Sequence, residues 1–231
     1  MILQILLLRI VWTAVYAASP ERAGAVTLPE MVSYATLSSL QFWLFNPGNV
    51  SPIPKRVRDG KIAVDLVRPV GFLGQIVSGQ LGSIAALAPF LLLALPFAAL
   101  AGSLQASESV SDTTAFAASL LFGLIISVLL SSIVGLAAFW TLEVGGLFMI
   151  YQVISQFFSG ALVPLWFMPG WLRTVAQMLP FQAVTYTPSA IYLGQISHYA
   201  LLSQILWVVV LWCILRLVWA RALNRVVVQG G

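Results

Sequence analysis

Read by polarity, the chain alternates long apolar blocks with short polar links. No Asp, Glu, Lys or Arg occurs in residues 31–54, 69–107, 113–142, 144–172 or 174–215, and each of these stretches can hold a membrane-crossing helix of about 20 residues. Together with the apolar start, "MILQILLLRIVWTAVYAA", the pattern predicts six spans at residues 1–18, 28–45, 84–102, 115–140, 144–163 and 200–219. That start also has the outline of a secretory signal, with small residues Val15 and Ala17 before a cleavage point. Its first residues are not basic, however, and Arg9 interrupts the apolar run. The reading taken is a first transmembrane helix.

Breakers and small residues refine the blocks. Pro47 and Gly48 of "NPG" close the second helix. Residues 69–107 exceed one span, and "VGFLGQIVSGQLGS" is richer in Gly, Ser and Gln than the "IAALAPFLLLALPFAALAG" that follows. This predicts an interfacial helix leading into the third span, with Pro89 and Pro96 tolerated as kinks. "SLQASESVSDTT" is predicted as a polar loop. In the fourth helix Ser119, Gly123, Ser127, Ser131 and Gly135 recur every four residues along one face. Helices in lipid associate by close packing, so this stripe predicts the approach of a neighbouring backbone rather than a ligand. In the fifth helix Gln152, Gln156 and Ser159 share a face. Between residues 164 and 198, Pro164, Pro169, Gly170, Pro180, Pro188 and Gly194 punctuate short pieces rich in Trp, Tyr and Phe, which predicts a re-entrant or interfacial helix pair.

Composition agrees with this pattern and narrows the class. With 60% hydrophobic residues, 8% charged residues and a mean hydropathy of +0.98, the chain reads as an all-α integral membrane protein. No polar block is large enough for a soluble domain, so residues 1–231 form one transmembrane domain. The single cysteine, Cys213, excludes an intrachain disulfide and a cysteine metal cluster. A net charge of +4 raises the question of nucleic acid, but the bases sit at the ends of apolar blocks, where membrane orientation explains them. Lys55, Arg56, Arg58, Lys61 and Arg68 follow helix two, and Arg216, Arg221 and Arg225 end the last helix; the alternate links carry Arg22, no base, and Arg173. Both termini are therefore expected in the cytoplasm of a multi-pass cell-membrane protein.

Several chemistries are absent. His198 is the one histidine and has no second ligand at metal spacing, so it reads as an interfacial polar residue. There is no GxxxxGK[ST] phosphate loop and no GxGxxG after a strand; if ATP is used, another chain supplies the site. The third and fifth helices lack the buried ionisable residues an ion-coupled carrier needs, while Glu143 falls between helices four and five on the cytoplasmic side and Arg9 is placed to snorkel.

Attention then falls on "KRVRDGKIAVDLVRP", residues 55–69, which holds five of the eleven bases. Val57, Ile62, Ala63, Leu66 and Val67 are expected on one face of a short helix, with Arg58, Asp59, Lys61, Asp65 and Arg68 on the rest. A loop that only orients the protein needs neither this pattern nor mixed signs. A surface helix that docks a soluble partner accounts for both.

The stretches "VRDGKIAVDLVRPV" (57–70) and "FFSGALVPLWFMPGWLRTVAQMLPFQAVTYTPSAIYLGQ" (157–195), with weaker support from "YATLSSL" and "AFW", make the chain resemble the ABC-2-type family of transporter permeases. The resemblance implies the six-span, type V exporter fold, with a cytoplasmic coupling helix between helices two and three and short re-entrant helices before helix six. It implies two ATP-binding subunits as partners, which hold the ATP and Mg while this chain binds no cofactor. It also implies a second copy or a homologous permease to complete the pathway in the lipid bilayer. The coupling role falls on Arg58, Asp59, Gly60, Lys61, Ile62 and Asp65, in the segment 55–68. The outer re-entrant gate falls on Pro164, Pro169, Gly170, Pro180 and Pro188. For the translocation path the polar faces suggest Tyr34, Ser38 and Gln41 with Gln152, Gln156 and Ser159. The departure is at the start, where the amphipathic helix that family members place before the first span has no counterpart; a short start or a different initiation codon is expected. The alternative from another class is an ATP-independent channel or scaffold subunit.

Overall fold

The computed structural model describes residues 2–18, 26–45, 51–102, 104–105, 109–141 and 144–229. The "NPG" stop, Arg22 and Glu143 lie outside the described residues. Among the described residues every regular element is helical: α1 (Ile2–Ala18), α2 (Leu28–Phe45), α3 (Ile53–Arg58), α4 (Ile62–Val67), α5 (Phe72–Gly102), α6 (Val110–Leu136), α7 (Gly145–Phe158), α8 (Gly170–Gln177), α9 (Gln182–Tyr192) and α10 (Ala200–Gln229). Short 3-10 turns occupy Ala137–Phe139 and Leu165–Phe167.

Local chemistry explains the helix boundaries, including those that differ from expectation. At the start of α2 the Thr27 amide donates to Glu30 Oε2 at 2.6 Å and the Glu30 amide returns to Thr27 Oγ1 at 3.5 Å, a capping box. At α6, Ser109 Oγ accepts from the Ser111 amide at 3.1 Å, with Asp112 in the first turn. The helix therefore starts at Val110, inside what polarity alone reads as a loop. α5 is one continuous helix of 31 residues through Pro89 and Pro96, without a break between its Gly- and Ser-rich part and the apolar part that follows. α7 stops at Phe158, five residues short of the predicted Val163, because Gly160 turns the chain with a φ of 77°.

Val110–Phe139 and Ala200–Arg225 are each long and apolar enough to cross a membrane; Leu3–Ala18, Phe72–Leu87 and Gly145–Phe158 are apolar but shorter. The 30 residues of α10 extend about 45 Å, longer than a hydrocarbon core of about 30 Å.

α6 is the axis of the bundle and packs most extensively on α9 and α10. Its stripe of small residues does not serve one neighbour, as the sequence suggests, but five contacts in succession. A buried amide, Gln204 Nε2 of α10, donates to the Ser119 carbonyl at 3.1 Å. The backbone of α9 lies against Gly123. Ser127 Oγ reaches the Phe45 carbonyl at the end of α2, Ser131 Oγ donates to Gln80 Oε1 of α5 at 3.0 Å, and Ser51, just before α3, lies on Gly135.

The two ends of the bundle are chemically distinct. Gln4 Oε1 accepts from Trp43 Nε1 at 3.1 Å, placing the start of α1 beside the end of α2. At this end Trp219 of α10 stacks on Phe72 with centroids 4.4 Å apart and meets Phe139 edge-on at 5.8 Å. Ile53 and Ile62 join the same buried cluster, so α3, α4 and the end of α10 sit together. At the opposite end His198 Nε2 and Asp112 Oδ1 lie 2.6 Å apart, and Tyr192 Oη donates to the Gln105 carbonyl at 2.9 Å.

Candidate functional site

The basic segment folds as two helices of six residues each, not one amphipathic helix. α3 ends because Gly60 adopts a φ of 68°, letting the Gly60 amide donate to the Val57 carbonyl and the Lys61 amide to the Arg56 carbonyl at 3.1 and 3.0 Å. The expected apolar face does not form: Ile62 is buried and Val57 half-buried, whereas Ala63, Leu66 and Val67 are exposed. Breaking the helix at Gly60 changes the angular register between Val57 and the residues of α4, so the helical spacing no longer applies across it.

Of the six residues assigned to coupling, two turn inward. Ile62 enters the core cluster, and Asp65 is only 3% exposed, its Oδ2 held 2.5 Å from Arg56 Nη1 and its Oδ1 3.6 Å from Arg68 Nη1. Gln75 Nε2 of α5 donates to the Asp65 carbonyl at 2.9 Å. Asp65 is thus the clasp that joins α3, α4 and α5. Arg58, Asp59, Gly60 and Lys61 face outward, with Lys61 Nζ 3.4 Å from Asp59 Oδ2. Beside them opens a groove of about 490 Å³ lined by Lys55, Arg56, Lys61 and Arg68 together with Asp59 and Asp65.

The residues suggested for a path are divided between two environments. Tyr34, Ser38 and Gln41 are buried on α2. Tyr34 Oη donates to the Gly160 carbonyl at 2.8 Å and its ring meets Trp166 edge-on at 4.8 Å. Gln41 Nε2 donates to Ser189 Oγ of α9 at 2.9 Å, leaving its own Oε1 unpaired. Gln152, Gln156 and Ser159 instead line a cavity of about 20 Å³, toward which α2 presents Phe42 and Phe45. That volume holds about one water. The structure brings Tyr34 next to Ser159 through Gly160, but it does not gather the six side chains around one opening.

Residues 164–198 form a hairpin that dips into the bundle. Pro164 precedes the 3-10 turn, Pro169 and Gly170 start α8, and Pro180 precedes α9. α9 begins against Gly123, at the middle of α6, and returns to the beginning of α6, where Tyr192 meets Phe116 edge-on at 5.0 Å. Pro188 lies inside α9 and has no amide hydrogen, so the Val184 carbonyl lacks its helical partner. That carbonyl is the atom Gly123 packs against.

Three contributors had weak sequence signals. Arg173 Nε donates to the Leu165 carbonyl at 3.0 Å and its Nη2 to the Trp166 carbonyl, holding the 3-10 turn on α8. Gln204 Nε2 also donates to the Ala183 carbonyl at 2.8 Å, tying α10 to α9 as well as α6. A lone glutamine in an apolar helix was the available cue. Arg56 reads in sequence as one base among five; its place beside Asp65 depends on the Gly60 turn.

This arrangement is that of an all-helical membrane protein whose α8–α9 hairpin and charged two-helix segment occupy opposite ends of one bundle. The protein-family model described as "ABC-2 family transporter protein" matches residues 2–230, nearly the whole chain. The chain belongs to that family and is a membrane permease component. Comparison with curated proteins and with solved structures finds no match.

Proposed function

We propose that the chain is the permease subunit of an ATP-driven exporter. In this reading α1, α2, α5, α6, α7 and α10 are the six spans, both termini are cytoplasmic, and a second copy or a homologous permease completes the pathway. Two ATP-binding subunits, which carry ATP and Mg, dock on the turn between α3 and α4. The hairpin of α8 and α9 closes the outer exit, and the polar faces of α2 and α7 become the path when they separate.

The observation that carries this reading is the seating of the turn. Arg58, Asp59, Gly60 and Lys61 project outward, while Ile53 and Ile62, on either side of them, are buried in the core. Gly135 of α6 lies so close that a Cβ there would be 2.5 Å from Ser51 Oγ and 3.4 Å from Ile53 Cβ. Force on the turn therefore passes into the end of α6 through close-packed groups, which transmit displacement because dense interiors compress little.

The test exchanges Asp59→Lys with Lys61→Asp. The exchange preserves the local ion pair of 3.4 Å but reverses the outward charge pattern. Membrane yield is expected to stay at the wild-type level, while co-purification of the ATP-binding subunit and transport both fall. If assembly and transport persist unchanged, the turn does not couple the two proteins.

A further inference from the structure

A second cavity, of about 290 Å³, opens along α5 and α6 at the end that bears the basic segment. Arg56 stands at one end of it, Gly79, Ser83 and Ile84 of α5 form a wall, and Ser127 of α6 and Tyr151 of α7 complete the lining. From Gln75 to Ile84 this wall rises about 13 Å, with Arg56 near its Gln75 end, where both residues contact Asp65. Among the described residues that line the cleft, Arg56 alone is charged. Its Nη1 is engaged by Asp65, but a guanidinium has five N–H donors, so one carboxylate oxygen leaves it with capacity. Gln75 and Gln80 also line the cleft, yet their amides are taken up by Asp65, Val70, Ser131 and Ser132. The serine hydroxyls of the lining donate to Phe45, Gln80 and Gly79, so the groups left for a ligand are a cation and the apolar surface of the wall.

We propose that this cleft binds an anionic amphiphile from the adjoining leaflet. The phosphate or carboxylate oxygens of its head engage the Arg56 guanidinium, and its chain runs along α5 toward Ile84. A soluble anion satisfies only the guanidinium, and a zwitterionic lipid presents its own cation to Arg56, so the geometry selects for negative charge and a chain together. Arg56 lines both this cleft and the outer groove beside the Asp59–Lys61 turn. An occupied cleft thus shares the guanidinium with Asp65, using the donors that the clasp between α3 and α4 leaves free. Binding itself does not depend on an ATPase docking at that turn.

The test uses the full chain in detergent, titrated with phosphatidylglycerol, phosphatidylcholine or glycerol phosphate, and counts bound molecules by native mass spectrometry. A Cβ at Gly79 meets nothing within 4 Å, so Gly79→Leu adds a side chain on the cleft wall with no clash at its Cβ. Gly82, equally open but not part of the lining, supplies the control Gly82→Leu. Phosphatidylglycerol is expected to bind at least about tenfold tighter than either of the other two. Arg56→Gln and Gly79→Leu are each expected to weaken it about tenfold, with Gly82→Leu unchanged. Equal affinity for the two lipids, binding of glycerol phosphate as tight as that of phosphatidylglycerol, or a Gly79→Leu variant no weaker than Gly82→Leu overturns the proposal.

Discussion

Replacing Gly123 by alanine tests the packing on which the bundle turns. The added Cβ falls 2.8 Å from the Val184 carbonyl oxygen, 3.2 Å from that of Ala183 and 3.4 Å from Val184 Cα. All three are backbone atoms, so no side-chain rotation relieves the contact. Restoring ordinary contact of 3.4 Å from 2.8 Å requires α6 and α9 to part by about 0.6 Å. Overpacking of this kind costs about 1–3 kcal/mol, against which alanine returns up to about 1 kcal/mol of helix propensity. The expected net loss is about 1 kcal/mol. Gly82→Ala is the reference, because a Cβ there meets nothing within 4 Å and only the propensity gain of up to about 1 kcal/mol remains. The two variants should then differ by about 2 kcal/mol, or roughly 4–8 °C in Tm for a chain of this size. Thermal unfolding in detergent, followed by the fluorescence of the eight tryptophans, measures the difference. If Gly123→Ala melts at or above Gly82→Ala, the close approach of α6 and α9 is not what holds the hairpin in place.

Three further outcomes follow from named contacts. Gly160→Ala should cost about 2–3 kcal/mol by the same melting assay, because the residue must hold a φ of 77° and its Cβ would sit 2.8 Å from Tyr34 Oη and 2.9 Å from Leu165 Cδ1. Asp65→Asn removes the charge shared by Arg56 and Arg68. Since those side chains are 32% and 56% exposed, the loss is held to about 1 kcal/mol, read as several-fold faster tryptic cleavage at Lys55, Arg58 and Lys61. Gln204→Leu deletes both amide hydrogen bonds to the Ser119 and Ala183 carbonyls and should lower stability by about 1–2 kcal/mol, seen as faster amide hydrogen exchange in α9.

Much of the helical outline was legible in the chain. α2 runs over the predicted 28–45, and its start is fixed by the capping box of Thr27 and Glu30. The earlier start of α6 was equally encoded, in Ser109 and Asp112, but a polar run hides a helix whose first turn is capped by polar side chains. The basic segment was recognisable as a cluster of charge. Its division at Gly60 was not, since a glycine in a short helical pattern is compatible with either a continued or a terminated helix.

What the sequence determined by itself is the class: an all-helical membrane chain, with a charged segment at one end and a proline-punctuated hairpin before the last helix. What only the tertiary structure decided is which face meets which neighbour. Small residues every four positions announced close packing on α6, yet not that Gly123, Ser131 and Gly135 would meet α9, α5 and the start of α3 in turn. Nor did helical spacing reveal that Tyr34 and Gln41 are sealed against the hairpin, or that Asp65 and Ile62 point inward. The physical reason lies in the solvent. In water, polarity separates the inside of a protein from its outside, but a lipid-facing residue and a core residue are both apolar. Periodicity therefore places the helices, and long-range packing of backbone on backbone chooses their partners.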